Sequence, residues 1–324
     1  MQILVTGGAG FIGSHLCERL LSDGHLVTVI DNFSTGRASN LSNLRESADF
    51  TFVEDSVLNT KTLTPLIERA DYIFHLAAAV GVFNIVKNPL ESLLTNIRGT
   101  ENILEVAYVS NTPVFLSSSS EVYGKNISDS LKESDDRILG SPVTLRWSYS
   151  EAKAIDESLT YAYFVEKQLE TRIVRFFNTV GPRQLGAYGM VVPRFVKSAL
   201  VNEPITIYGD GTQTRCFAHV YDVIDAVMAT AFAENTIGKV INIGNDFEIS
   251  INGLAQKIID QTGSKSKIIY VPYEEAYGDG FEDMERRVPN IDLINQLVGW
   301  KPQRELSTII TDIAAEMKRV LKEK

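Results

Sequence analysis

Tyr149 and Lys153, in the run Tyr149-Ser150-Glu151-Ala152-Lys153, have residue types and a spacing suited to moving a proton. Positions four apart share one face of a helix. An ammonium beside a phenol favours the phenolate and is expected to lower the Tyr149 pKa, so that the phenol can take the proton of a hydroxyl group. The same spacing also occurs on ordinary surface helices. Arg146 lies three residues upstream, where it can grip a carboxylate with two N–H groups or pair, as a surface residue, with one of the chain's many acids. A second polar run, Ser117-Ser118-Ser119-Ser120-Glu121-Val122-Tyr123-Gly124, collects hydroxyls and one carboxylate, and reads either as part of a site or as a turn with a solvated acid.

A binding function is written at the start of the chain. Ile3-Leu4-Val5-Thr6 runs into Gly7-x-x-Gly10-x-x-Gly13 and then into a helical pattern. Gly7 permits a tight turn, Gly10 lets backbone approach a pyrophosphate, and Gly13 lets helix and strand pack closely. The free N–H groups at the helix start make an anion site. Asp31 follows at the end of the second strand pattern, where it accepts hydrogen bonds from an adenosine ribose and repels a 2′-phosphate, which selects NAD over NADP. Asp55, at the end of the third, is either an adenine contact or a solvated strand-end acid.

These groups need a scaffold that brings strand ends together. Short apolar runs at Gln2–Thr6, Leu26–Ile30, Phe50–Val53, Tyr72–Leu76 and Pro113–Ser117 read as strands. Helical patterns at Phe11–Ser22, Thr62–Ala70, Pro89–Val109 and about Tyr149–Lys167 alternate with them, and strands at Glu170–Phe176 and Val240–Ile243 follow. This alternation points to a parallel sheet covered by helices on both faces. The later segments Pro182–Val191, Gly209–Thr214 and Tyr273–Pro289 are polar or glycine-rich, with arginines in or beside them, and long loops of this kind are usually functional. The expected division is a dinucleotide-binding domain over residues 1–177 and a mainly substrate-binding part over 178–324, with Val240–Ile243 returning to the first sheet.

Composition narrows the function. The chain has 324 residues, 44% hydrophobic and 22% charged, with a net charge of −10, which suits a folded protein and argues against nucleic acid or an anionic membrane as partner. Two cysteines and four histidines without ligand spacing argue against a metal site. No apolar run is long enough to span a bilayer and the N-terminus has no basic leader region, so a cytoplasmic protein is expected.

The glycine spacing, Asp31, the strand end Leu76-Ala77-Ala78 and the Tyr149–Lys153 pair together resemble the extended short-chain dehydrogenase/reductase family over essentially the whole chain. The resemblance implies a Rossmann-type doubly wound α/β sheet with a smaller C-terminal α/β part, NAD as cofactor and a UDP-sugar as substrate. Cofactor contacts are then expected from Gly7, Gly10, Phe11, Ile12, Gly13, Asp31, Asn32, Asp55, Leu76, Ala77, Ala78, Tyr149 and Lys153. A homodimer is implied too, through the helices that carry Leu93, Leu94, Leu104, Tyr161 and Phe164. In the family a hydroxyl at the place of Ser119 bonds the reacting oxygen, with Ser120 beside it on the substrate. Asn178 and Arg215 are placed on the diphosphate and Tyr208 near the base, with Arg183 a further candidate for the phosphates or for surface ion pairing. Glu121 departs from simple epimerases. With Arg146 and the segment from Ala276 to Pro289, it resembles the UDP-glucuronate decarboxylase branch, which puts Glu121 and Arg287 in acid–base roles and Arg146 at the sugar carboxylate. Those relatives usually carry a tyrosine shortly before the counterpart of Asn88-Pro89, where this chain has Ile85, so the sugar pocket differs there. The expected reaction is NAD-dependent decarboxylation of UDP-glucuronate through a 4-keto intermediate. A UDP-sugar 4-epimerase is the main alternative, followed by a 4,6-dehydratase and a non-catalytic NAD-sensing protein.

Overall fold

A computed structural model describes residues 1–81, 87–186, 190–277 and 284–322. Its main sheet is built from β1 (Gln2–Thr6), β2 (Leu26–Asp31), β3 (Phe50–Glu54), β4 (Tyr72–His75), β5 (Val114–Ser119), β6 (Thr171–Phe176) and β7 (Val240–Ile243). Their spatial order is β7-β6-β5-β4-β1-β2-β3, and each neighbouring pair is parallel. The order reverses between β1 and β4, which opens a crevice outside the carboxyl ends of the strands. This is the doubly wound fold expected from the sequence, with strand β7 crossing back from the second half. Strand limits differ from the pattern reading by one or two residues, and β5 runs on to Ser119 because its serines continue the pairing with β6.

Helices α1 (Phe11–Ser22), α2 (Thr60–Ile67), α3 (Pro89–Ser110) and α4 (Ser148–Lys167) connect the strands. On one face of the sheet, Ile3, Val5, Val29, Phe74 and Ile241 pack with Leu16 and Leu20 of α1. The same core takes Val223 and Val227 from α6 (Val220–Ala231), and Ile294 and Trp300 from the chain around residues 292–300. The other face buries Leu4, Ile30, Ile73 and Val114 against Leu63, Ile67, Ile103 and Leu104. Leu104 is therefore core, with no exposed surface, and is not available to a second copy as the sequence reading had it. A further core joins α5 (Val191–Leu200), α7 (Ile251–Thr262) and α8 (Leu306–Lys322) with the strand Ile205–Tyr208. Helix α5 begins at Val191, where the polar segment from Pro182 was expected to end. Among the described residues no helix is long and apolar enough to cross a membrane.

Candidate active site

The carboxyl ends of the strands converge on one cleft of about 530 Å³, lined among others by Gly7, Asp31, Asp55, Ala77, Ser119, Glu121, Arg146, Tyr149, Asn178, Tyr208, Arg215 and Arg287. Gly10, Phe11, Ile12, Gly13, Asn32, Leu76, Ala78 and Ser120 line it as well. Lys153 lies beneath, almost fully buried.

At one end the cleft is shaped by backbone. Gly7 has φ +73°, and a Cβ there would stand 2.7 Å from the Ala77 amide nitrogen. A Cβ on Gly13 would stand 2.3 Å from the Gly7 carbonyl oxygen. Side chains at these two places would push α1 away from β1 and the β4 end, so the glycines keep a helix N-terminus open beside the strand ends. The Asp31 carboxylate caps this end, accepting hydrogen bonds from the amides of Ala9 at 2.9 Å and Phe33 at 2.7 Å. Burial pushes its pKa up, and the two amide bonds oppose that. Asp55 lines the same end but spends its oxygens on Ser56, Asn59 and Thr62, holding the turn that enters α2. After β4 the chain is fixed by buried side chains: Thr6 Oγ1 accepts from the Ala77 amide at 3.1 Å, and Asn96 bonds both the amide and the carbonyl of Ala79. A glycine-lined cradle, a helix N-terminus and an acid at the second strand end fit a dinucleotide and disfavour an extra 2′-phosphate.

At the centre, Tyr149 stands in the first turn of α4 with Ser119 beside its hydroxyl. The pair expected to lower the tyrosine pKa does not do so in the protein alone. Burial raises it, and the charges of Glu121 and Asp156 raise it further, against the lowering effect of Ser119. The reason is where Lys153 points. Its Nζ donates to the Ser117 carbonyl at 3.0 Å and to Asp156 Oδ2 at 3.2 Å, so a buried acid absorbs much of the ammonium field. The sequence reading missed Asp156; its signal was the Lys–Asp spacing of three on one helix face. Beyond lies His75, bonded to Thr6 at 2.8 Å and Thr100 at 3.2 Å, and held neutral with a pKa of about 3 by burial and by Lys153.

The other end is built from charge. Glu121 is forked by two arginines: Arg146 Nη1 lies 2.6 Å from Oε2 and Arg287 Nη2 lies 2.9 Å from Oε1. Arg146 is 6% exposed and Arg287 7%, so neither is a surface residue and the surface reading of Arg146 is overturned. Burial pushes the Glu121 carboxyl up, but Arg287 and Arg146 outweigh it and hold the pKa at about 2. Arg287 Nη1 also reaches Ser120 Oγ at 3.4 Å. Further along, Asn178 Nδ2 donates to the Cys216 carbonyl at 2.9 Å, and Arg215 Nη1 donates to the Thr214 carbonyl at 2.8 Å while lining the cleft. Arg183 pairs with Glu18 at 2.5 Å and reaches Ser14, tying this wall to α1. Arg194 was not anticipated. It stands in the first turn of α5 with its guanidinium 4.3 Å from the Tyr208 ring centroid, on the cleft wall. An arginine in the first turn of a strongly amphipathic helix was its sequence signal. Ile85 and part of the segment Ala276–Pro289, residues 278–283, fall outside the described residues.

The fold and this cleft define an enzyme that works on a substrate laid across a bound dinucleotide. Residues 3–244 match the NAD dependent epimerase/dehydratase family, and the chain belongs to it. It is 41% identical over 302 residues to the UDP-N-acetyl-α-D-glucosaminuronate decarboxylase of Bacillus cytotoxicus, covering 93% of this chain and 92% of that one. It is 36% identical over 303 residues to UDP-glucuronic acid decarboxylase 1 of Xenopus tropicalis, covering 93% of this chain and 68% of that one. The fold superposes on a UDP-glucuronic acid 4-epimerase from Bacillus cereus, solved with UDP-glucuronic acid and NAD, with a TM-score of 0.89 and 30% identity over 99% of this chain and all of that one. The protein is an NAD-dependent enzyme of this family.

Proposed function

We propose that the protein decarboxylates a UDP-hexuronate, UDP-glucuronate in the first place, through a C4 ketone, to UDP-xylose or the UDP-4-keto-pentose. The observation that carries this reading is the pair of buried arginines, Arg146 and Arg287, beside Tyr149. A neutral hexose has no group that needs two guanidiniums, whereas a uronate carboxylate does. NAD, held by the glycine loop, Asp31 and the Leu76–Ala78 strand end, supplies reversible oxidation at C4. With oxidised NAD bound, its positive charge together with that of Lys153 would favour the Tyr149 phenolate, which accepts the C4 hydroxyl proton while Ser119 holds the oxygen. The ketone is β to the C6 carboxylate, so the electrons of the C5–C6 bond have a sink at the C4 oxygen when carbon dioxide leaves. Ser119 and Tyr149 then donate to the enolate oxygen, where charge has developed. The Glu121–Arg287 end faces C5, where a proton must return. Asn178, Arg215 and Tyr208 hold the nucleotide diphosphate and base.

The 41% identity over nearly the whole of both chains favours a second substrate, the 2-acetamido uronate named for the Bacillus cytotoxicus relative. Incubation of each sugar nucleotide with enzyme and NAD, followed by mass detection, tests both. Loss of the mass of carbon dioxide identifies the substrate. Conversion of UDP-glucuronate to UDP-galacturonate at unchanged mass would replace this reading with epimerisation. The working form is a homodimer built on α3 and α4, which leave Tyr108, Val109, Tyr161 and Val165 exposed; light scattering at micromolar concentration should give twice the chain mass.

A further inference from the structure

Glu121 occupies the place that the preceding reading gives to the substrate. Its two oxygens take one N–H group each from Arg146 and Arg287, as a sugar carboxylate entering this end of the cleft would. Its backbone is anchored independently of that fork. The amide donates to Ser119 Oγ at 3.2 Å and the carbonyl accepts from Ser150 Oγ at 2.7 Å, so the side chain can release the arginines without unfolding the turn. Arg146 is anchored too, its guanidinium 5.3 Å from the Trp147 ring centroid. Arg146, Arg287 and Glu121 thus bring two cations and one internal anion together at this end of the cleft.

We infer that Glu121 is a resident stand-in for the uronate carboxylate, which yields its arginine seat when the substrate enters and by that exchange becomes the acid that protonates C5. The inference rests on the decarboxylase reading. A sugar carboxylate that takes these two N–H groups leaves Glu121 buried without its hydrogen-bond partners and beside a like charge. In the resting pocket Arg146 and Arg287 keep Glu121 ionised; among the described residues Tyr149 from α4, whose phenol is neutral, also faces it. With the sugar carboxylate on the arginines, burial and a neighbouring like charge both raise the Glu121 pKa, and it takes a proton from solvent. The step then balances. The C5–C6 bond breaks to give carbon dioxide and an enolate, C5 takes the proton from Glu121, and the restored carboxylate returns to the arginines. The proton taken up on binding is the one consumed by the reaction.

Tyr149→Phe enzyme loaded with NAD, in which turnover is blocked, allows the binding step to be measured. Calorimetric titration in two buffers of different ionisation heat should show UDP-glucuronate taking up close to one proton per site near pH 7, and UDP-glucose none. Affinity for the uronate should accordingly rise as pH falls from 8 to 6. Adding Glu121→Gln should abolish the uptake and tighten uronate binding by about tenfold or more, since a competing buried anion is gone, while UDP-glucose binding stays within about twofold. Absence of proton uptake with Glu121 intact overturns the inference, and that measurement stands even if the Gln variant does not fold. Uronate binding that is unchanged or weaker in a folded Gln variant overturns it as well. Release of carbon dioxide by the unmodified enzyme decides the decarboxylase reading separately.

Discussion

The glycine-loop end of the cleft and its sugar end meet at Tyr149, yet they are held open by different forces. At the first, the decisive atoms are backbone: Gly7 and Gly13 have no room for a side chain, and Asp31 is pinned by two amides. At the second, they are the tips of long side chains, Arg146 and Arg287, balanced against one carboxylate. Steric shape offers the same cradle to every sugar nucleotide that uses NAD. A charge balance can be retuned by single residues. The sheet explains the division, since β1 and β4 are central strands packed on both faces, whereas the arginines arrive on a short turn and on the chain beyond residue 284.

The largest expected effect strikes where the two ends meet. Tyr149→Phe keeps the ring and removes the proton acceptor, so turnover should fall by about 10²–10⁴ while NAD binding is retained. Near-normal turnover would place the base elsewhere. Arg146→Ala belongs to the sugar end alone. It should weaken binding of UDP-glucuronate relative to UDP-glucose by about ten- to a hundredfold, the worth of roughly 1.5–3 kcal/mol for a hydrogen bond to a charged group. An unchanged preference between the two sugars would mean that Arg146 does not read the sugar carboxylate. Gly13→Ala belongs to the other end. Overpacking against the Gly7 carbonyl should cost about 1–3 kcal/mol of stability and weaken NAD, without altering the preference between sugars. A denaturation midpoint and a cofactor titration on the same sample check both parts. The smallest effect is cofactor choice: a 2′-phosphate near Asp31 should make NADP weaker than NAD by at least about fivefold, roughly 1 kcal/mol for two charges about 4 Å apart in a water-like dielectric. Equal dissociation constants would remove Asp31 from the ribose.

What could be read in the chain was what is local. The glycine loop, the helix behind it, the acid at the end of β2 and the strand–helix alternation depend on spacings of a few residues, and backbone sterics turn such spacings into shape. The partner of a charge does not follow from spacing. Lys153 and Tyr149 share a helix face, but the field at the phenol is a sum over Glu121, Asp156 and burial, and that sum reverses the sign expected from the lysine alone. Arg146 and Arg287 come to Glu121 from different parts of the chain, and Arg194 meets Tyr208 across a loop. Leu104 looked available for assembly until the sheet beneath it was in place. By itself the sequence determined the kind of cofactor cradle, the parallel sheet that presents it and the helix face that Tyr149 and Lys153 share. Only the tertiary structure decided which charges face one another, because Coulomb interactions and burial depend on distances through space that the order of residues along the chain does not contain.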